Sequence, residues 1–288
     1  MNQKVSVLIP VYNGEETLHE SLESVSNQAY DNYEVIVVDN NSKDRTKEII
    51  YDFIEKYRNI KYVFELKVGR GAARNAGIRE ANGEVILMTD ADCTVPKDWI
   101  EKMTALIRRG EESVIMGFEE DIIKNYWTKN IQDSNWNLIK ENSENGYTRH
   151  LDTKNFAIKT SLMKELMFDE TMKCLEDLEF YLRLIERSRI KLLDMIKVNH
   201  YHKSSGIGWS KVQIDRGYWS YKIYKKYRKK NNFARLTMFK SLSITAQVFF
   251  PFWLIFQMIR DPRRFPFVFV SEISWRVGTL KEMIVKNN

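Results

Sequence analysis

The stretch Gly83-Glu-Val-Ile-Leu-Met-Thr-Asp-Ala-Asp-Cys93 begins as an apolar run of strand length and ends in two carboxylates, Asp90 and Asp92. This pattern predicts a buried strand with paired acids at its carboxyl end. Ligands bind at that end of the strands in open α/β sheets, and carboxylate oxygens suit a hard divalent ion. The stretch therefore indicates a metal-diphosphate site. The alternative is a solvated turn whose acids cap the next helix.

Strand-like and helical segments alternate along the chain before this stretch. The strand-like runs cover residues 5–14, 34–39 and 60–64, and helical spacing covers residues 15–30 and 46–57. The alternation predicts βαβ units, and hence an α/β fold with a mostly parallel central sheet and flanking helices. Asp39 closes the second strand, so we expect it at the same sheet edge as Asp90 and Asp92.

The composition is that of a globular protein. Hydrophobic residues make up 43% and charged residues 29% of the 288 residues, which excludes wholesale disorder. Cys93 and Cys174 provide neither a disulfide framework nor a metal-ligand spacing, and no signal peptide is expected, so we predict a reduced, cytoplasmic protein. The formal charge is +6, with basic residues crowded between Lys203 and Lys240. Such a surface favours an anionic partner or is simply a solvated helix face.

The segment Gly69-Arg-Gly-Ala-Ala-Arg-Asn-Ala-Gly77 carries part of a dinucleotide-binding fingerprint. Arg74 occupies the position of the third glycine, and the segment follows the third strand instead of the first. A nicotinamide or flavin site is therefore not expected. The segment predicts a helix start that directs backbone N–H groups and Arg70 or Arg74 at an anion, or a helix packed tightly on the sheet, and both can hold together.

Four motifs in the first half are Val7-Leu-Ile-Pro-Val-Tyr-Asn13, the strand ending in Asp39, Gly71-Ala-Ala-Arg-Asn-Ala-Gly-Ile78 and Asp90-Ala-Asp92. Their order and spacing resemble the nucleotide-sugar-binding half of the family 2 inverting glycosyltransferases of the GT-A fold. Features of the family's second half follow at Asn155, Phe168-Asp-Glu170, Glu176-Asp177 and Arg183. Glu165-Leu-Met167 departs from the Gly-Gly that usually precedes the Phe-Asp-Glu turn, which bears on the local loop geometry.

The resemblance implies transfer of a sugar, with inversion, from a nucleoside diphosphate sugar, UDP-sugar favoured, to a hydroxyl acceptor, with Mn²⁺ or Mg²⁺ as cofactor. Asp92 would hold the metal, and Asp177 would be the general base that removes the acceptor proton. Asp39 would accept from an N–H of the nucleotide base. The other donor-binding residues that it implies are Pro10, Tyr12, Asn13, Glu15, Gly71, Arg74, Asp90 and Ala91. On the acceptor or diphosphate side it implies Glu176, Gln213 and Arg216.

Two histidines follow a predicted strand that begins at Lys191. His200 and His202 alternate with Tyr201, so they share one face if the strand pleat continues. The resemblance favours His202 as a further metal ligand, and the alternative is an exposed loop histidine. Gln213-Ile-Asp-Arg216 is similar to a segment of processive relatives, but Gly217 replaces the following Trp, so synthesis of a long polymer is not implied.

The C-terminal region differs from the predicted catalytic domain at residues 1–205. Leu242 to Ile259 is an uncharged, aromatic-rich stretch of 18 residues. As a helix it would reach about 27 Å, short of a bilayer core of about 30 Å, and Pro251 interrupts it. We expect residues 206–288 to form a basic, aromatic helical extension on the cytoplasmic face of the cell membrane. The alternative is packing on the catalytic domain or on a homodimer partner.

Other function classes stay open. A nucleotidyltransferase also binds metal through acids on an α/β sheet, but it usually has an N-terminal glycine-rich loop with a lysine, which Pro10-Val-Tyr-Asn-Gly14 lacks. A non-catalytic scaffold could keep the nucleotide pocket, although Asp92 and Asp177 argue for chemistry. Nucleic acid is not an expected partner, because no reader motif accompanies the basic residues.

Overall fold

The computed structural model describes residues 3–122, 125–201, 204–229 and 244–285. The chain divides into two compact units. The first comprises Met1–Ile123 and Ser134–His202, and the second comprises Lys124–Asp133 and Lys203–Asn288.

Within the described residues, the first unit contains one mixed sheet of ten strands. The strands are β1 (Val5–Val11), β2 (Tyr33–Asp39), β3 (Ile60–Phe64), β4 (Val85–Met88), β5 (Cys93–Thr94), β6 (Val114–Asp121), β7 (Ser143–Glu144), β8 (Tyr147–Thr148), β9 (Phe156–Lys159) and β10 (Ile190–His200). The strand order is β3-β2-β1-β4-β9-β6-β10-β8-β7, and β5 pairs with β10. The strands β3, β2, β1 and β4 run parallel, whereas β9 is antiparallel to both β4 and β6. The predicted α/β fold with a mostly parallel sheet is confirmed.

In the first half of the chain, the helices lie where the apolar spacing predicted them. The α-helices of the described residues are α1 (Leu18–Ser26), α2 (Thr46–Lys56), α3 (Arg70–Glu80), α4 (Trp99–Arg108), α5 (Tyr126–Glu141), α6 (Thr160–Leu166), α7 (Glu176–Leu184), α8 (Gly206–Tyr227), α9 (Ile244–Arg260) and α10 (Phe265–Val285). Helix α3 approaches the sheet closely, since a Cβ at Gly77 would lie 1.9 Å from Leu8 Cδ1. Burial of both sheet faces under helices explains why the central strands are almost continuously apolar.

The antiparallel strand β9 is held by one buried amide, that of Asn155. Its Oδ1 accepts from Trp99 Nε1 at 2.9 Å, and its Nδ2 donates to the carbonyls of Phe118 at 2.8 Å and Ile196 at 2.9 Å. The register of β10 against β6 shifts beside Ile196, so this carbonyl is available to a side chain. The Asn155 side chain thereby joins α4, β6 and β10 in the half of the sheet that lacks βαβ repeats.

The second unit is built on the close packing of α8 and α10. A Cβ at Gly217 would lie 1.9 Å from Trp275 O, and a Cβ at Gly278 would lie 1.9 Å from Ile214 O. The two glycines therefore permit direct backbone contact between the helices. In the described part of the chain, no helix combines the length and the apolar character that crossing a membrane requires.

Candidate functional site

Polar side chains collect at one edge of the sheet, beyond the carboxyl ends of the strands. Asp39 ends β2, Asp90 and Asp92 follow β4, and Asp121 and His200 end β6 and β10. The pairings of β9 with β4 and β6 make β6 and β10 run in the same direction as β4. The edge predicted from the first half of the chain is therefore extended by residues from the second half.

His200 is the described histidine that the structure brings to Asp92. Its Nε2 lies 3.4 Å from Asp92 Oδ2, and its Nδ1 lies 2.9 Å from Asp121 Oδ1. The loop after β4 is fixed to β10, because Cys93 pairs with His200 in the antiparallel ladder and Tyr201 N donates to Asp92 O at 2.7 Å. The predicted ligand His202 lies outside the described residues.

This arrangement fits a divalent cation. Ligand atoms of Asp92, Cys93 and His200 all lie within 4.8 Å of one another. The buried Asp121 carboxylate engages Nδ1 of His200 and so orients Nε2 toward Asp92, in the way that a carboxylate on the other ring nitrogen orients a metal-binding histidine. Burial lowers the pKa of His200, but hydrogen bonds to Asp121 and Asp92 outweigh burial and raise it to about 9. The carboxylates thus favour positive charge at this position.

A second charged cluster adjoins the first, and its residues were not predicted from the sequence. Lys154 Nζ lies 2.7 Å from Glu119 Oε2 and 2.8 Å from Asp152 Oδ2. Burial lowers the pKa of Lys154, while Asp90, Asp92 and Asp177 oppose that shift. Burial raises the pKa of Asp152 to about 6, and the charges of Asp177 and Asp90 add to this effect. The position of Lys154 directly before the motif residue Asn155 was the one available signal.

Arg74 is buried and joins two parts of the site. Its Nη1 donates to Glu176 Oε1 at 2.7 Å, and its Nη2 lies 3.4 Å from Asp90 Oδ1. The guanidinium also lies over the Phe168 ring, 5.5 Å from its centroid. Burial lowers the pKa of Arg74, but Asp90 and Glu176 raise it above its ordinary value. Arg74 therefore connects the loop after β4 to the start of α7.

The start of α7 carries the predicted base. Leu175 precedes the helix with φ 59°, a left-handed conformation that directs Glu176 and Asp177 into the first turn. Asp177 is partly exposed, and its Oδ1 accepts from Leu178 N at 2.7 Å. Its charge acts on Arg74, Lys154 and Asp152. The structure thus brings Asp177 into the same electrostatic environment as Asp90.

Met167 has φ 46° and ψ 163°, at the place where the family's glycines were expected. Backbone of this kind is normally left to glycine. Arg183 stabilises it by donating to the carbonyls of Leu166 and Met167, and Arg183 is itself paired with Glu179. Asn75 holds the following turn through hydrogen bonds to Phe168 N and O. The glycine-independent turn is therefore fixed by side chains.

The residues predicted to contact the nucleotide base line the other end of the edge. Tyr12 is 56% exposed, and Asp39 is buried. Asp39 Oδ1 accepts from Ser42 N at 2.9 Å and Oδ2 accepts from the Tyr62 hydroxyl at 3.0 Å. Burial, together with the Asp39 carboxylate, raises the pKa of Tyr62. Asp39 is thus held by the protein on both oxygens, each of which keeps a second lone pair for a ligand.

The remaining predicted residues have mainly structural contacts. Asn13 Oδ1 accepts from Lys43 N at 2.8 Å and Glu15 Oε2 accepts from Arg45 N at 3.1 Å, so both shape the loop after β2. Others lie in β1, in the core and against the Phe168 turn: Pro10, Ala91 and Gly71. In the second unit Gln213 is buried on α8, and the Arg216 guanidinium lies 5.6 Å from the Trp209 ring centroid.

Comparison with known proteins decides the family. The sequence profile of Glycosyl transferase family 2 matches residues 6–170. The chain belongs to this family. A family relative from Haemophilus influenzae, described as an uncharacterized glycosyltransferase, is 27% identical over 233 residues, which are 78% of this chain and 89% of the relative. The chain spans less than half the length of several other curated glycosyltransferases that it matches.

Solved structures share the fold of this family 2 member. The mannosyltransferase PcManGT from Pyrobaculum calidifontis, in complex with GDP-Man and Mn²⁺, has a TM-score of 0.73 at 17% identity, covering 98% of this chain and 88% of that one. S. aureus TarS 1-349 in complex with UDP-GlcNAc has a TM-score of 0.58 at 18% identity, covering 96% and 90%. The predicted GT-A fold and sugar-transferring activity are confirmed, and the nucleotidyltransferase and scaffold alternatives are not favoured.

We predict that Arg74→Met lowers the free energy of unfolding by about 3–5 kcal/mol, because it leaves the buried Glu176 carboxylate without its partner. Urea denaturation measures the loss. The matched control on the same helix is Arg79→Met, whose side chain is 53% exposed and pairs with Glu65 and Glu170. It should cost no more than about 1 kcal/mol. Equal losses in the two variants would contradict the importance of the buried Arg74–Glu176 ion pair for stability. The double variant, Arg74→Met with Glu176→Gln, should recover part of the lost stability.

Proposed function

We propose that this glycosyltransferase moves a sugar, with inversion, from a nucleoside diphosphate sugar to a hydroxyl acceptor, with Mn²⁺ or Mg²⁺ at Asp92 and His200. The observation that carries the proposal is the Asp92–His200–Asp121 arrangement at the edge that also holds Asp177. A divalent ion bound there would neutralise charge on the diphosphate group. The Mn²⁺ complex of the PcManGT neighbour supports the use of a divalent ion.

Asp177 performs the proton transfer in this proposal. Its Oδ1 is engaged by Leu178 N, and we assign Oδ2 to the acceptor hydroxyl. The hydroxyl proton passes to Oδ2 as the oxygen attacks the anomeric carbon, and the bond from that carbon to the diphosphate breaks on the opposite face. Arg74 keeps Asp177 in place through Glu176, so the base turn does not rely on substrate for its position.

Asp39 and Tyr12 supply the nucleotide selectivity. A carboxylate is only an acceptor when ionised, so Asp39 favours a base with an N–H edge, and the exposed Tyr12 ring offers stacking area. Uracil and guanine both present such an N–H. We favour UDP as the donor nucleotide, and GDP is the alternative that the same contacts allow.

We expect UDP with Mn²⁺ to stabilise the protein against heat, with a gain of about 2.7 kcal/mol at about 100 times the dissociation constant. Melting curves with UDP, GDP, CDP and TDP, each with and without Mn²⁺, give the measurement. Asp92→Asn should lose the metal-dependent part of the shift. If no nucleotide shifts the melting curve at saturating concentration, the proposed donor site is contradicted.

Asp177→Asn should reduce turnover by about 10²- to 10⁴-fold, the usual contribution of a positioned base, and keep the nucleotide-dependent melting shift. Donor hydrolysis or transfer, measured as released nucleoside diphosphate, gives the rate. Asp31→Asn, at an exposed position before β2, is the control and should keep full turnover. Unchanged turnover in Asp177→Asn would exclude it as the base.

We further propose that α9 binds an anionic membrane surface. Among the α9 side chains that the structure describes, from Phe249 onward, the exposed ones are almost all apolar: Phe249, Phe252, Trp253, Ile255, Phe256, Met258 and Ile259. The stretch 244–260 contains no acidic residue and ends at Arg260, and the segment that follows carries Asp261, Arg263 and Arg264, with cations in excess. An apolar helix with a basic end suits the interface of a bilayer with anionic headgroups. Such contact would bring the enzyme to a lipid-linked acceptor at the cytoplasmic face.

The full chain should sediment with vesicles that contain anionic lipid and much less with neutral vesicles. Phe252→Ser combined with Phe256→Ser should abolish sedimentation, because two exposed aromatic side chains are removed from the interface. Leu66→Ser, an equally exposed apolar position in the first unit, is the control. Continued sedimentation of the α9 variant with anionic vesicles would contradict the lipid assignment. A variant that loses dimerisation instead of vesicle binding would also contradict it.

A further inference from the structure

Cys93 contributes a sulfur atom to the candidate cation site. It is fully buried, and its Sγ lies 3.7 Å from Asp92 Oδ1. Cys93 and His200 are directly opposed in the antiparallel pairing of β5 with β10, and opposed residues share one face of a sheet. The oxygen, nitrogen and sulfur atoms lie within 4.8 Å of one another. The Asp92 side chain is 42% exposed, so an ion can reach the group from its side.

We propose that Cys93 Sγ is a third protein ligand for thiophilic divalent ions, so that Zn²⁺ or Cd²⁺ binds this site more tightly than Mn²⁺. Thiolate and imidazole ligands suit Zn²⁺, and Zn²⁺ exceeds Mn²⁺ in the general affinity order of divalent ions. Open zinc sites hold the ion through three protein ligands, and thiolate, imidazole and carboxylate are the ligand types from which such sets are drawn. The inference rests on the proposed cation site at Asp92 and His200 and adds its selectivity.

Binding is a ligand exchange without oxidation or reduction. The Cys93 S–H bond breaks and its proton passes to solvent, and the thiolate bonds to the metal in place of a water molecule of the hydrated ion, which is released. The positive charge of the ion makes this deprotonation favourable, as it does for coordinating thiols in general.

The consequence is a transferase that Zn²⁺ can inhibit. Mn²⁺ and Mg²⁺ are bound by few protein ligands and keep positions for diphosphate oxygens. Zn²⁺ usually takes four ligands, so with Asp92, Cys93 and His200 as protein ligands it would have room for one more. Zn²⁺ therefore competes with Mn²⁺ for the site and offers fewer coordination positions to the diphosphate oxygens.

The test uses Co²⁺ as a spectroscopic probe on the full chain. The wild type should show a thiolate-to-cobalt charge-transfer band in the near ultraviolet, which Zn²⁺ displaces. Cys93→Ser and Cys93→Ala should both lack the band, and their Zn²⁺ affinity should fall by on the order of tenfold or more. Mn²⁺ affinity should fall less, because Mn²⁺ prefers oxygen ligands. Cys174→Ser removes the other cysteine of the chain and should retain the band.

A wild type without the band, or a band that survives in both Cys93 variants, would overturn the inference. Melting curves establish that each variant is folded before titration. If Mn²⁺ binds and promotes nucleotide binding but Co²⁺ shows no thiolate band, the selectivity inference fails and the proposed function stands. If Co²⁺ binds through Cys93 but Mn²⁺ has no effect on nucleotide binding, the sulfur ligand stands and the proposed cation role fails.

Discussion

The buried guanidinium of Arg74 is the interaction on which the site depends. It pairs with Glu176 at the start of α7 and with Asp90 after β4, two segments that are far apart in sequence. A buried cation in this position needs both carboxylates close to it, because an unpaired buried charge is strongly unfavourable. The helix that carries Asp177 and the loop that carries Asp92 are therefore held in one arrangement before substrate arrives.

Along the rest of this sheet edge, several carboxylates are paired with a few basic side chains. Asp92, Asp121, Glu119 and Asp152 are kept together by His200 and Lys154. Such a cluster would be unstable without positive charge, which is also why it suits a bound divalent ion. The sulfur of Cys93 lies beside these hard oxygens as a softer atom, and the proposed ion selectivity rests on that difference.

The family match and the proposed chemistry cover different parts of the chain. The match to family 2 ends at residue 170, whereas Asp177, Arg183 and His200 follow it. Their assignment rests on the contacts they make: Asp177 in the field of Arg74, Arg183 on the Met167 backbone, and His200 at Asp92. The turn at Met167 illustrates how side-chain hydrogen bonds can hold a backbone conformation that is normally left to glycine.

The sequence alone determined the βαβ half of the fold and the edge at which Asp39, Asp90 and Asp92 lie, because strand and helix periodicities are local and parallel strands end on one side. It also identified Glu176-Asp177 as a helix start. Tertiary structure decided that Arg74 pairs with Glu176, that His200 meets Asp92, and that Cys93 and Lys154 belong to the site. These contacts join residues that are distant in sequence, and they depend on the antiparallel strand β9 and on the shifted register of β10 against β6. No local sequence pattern encodes which distant side chains meet.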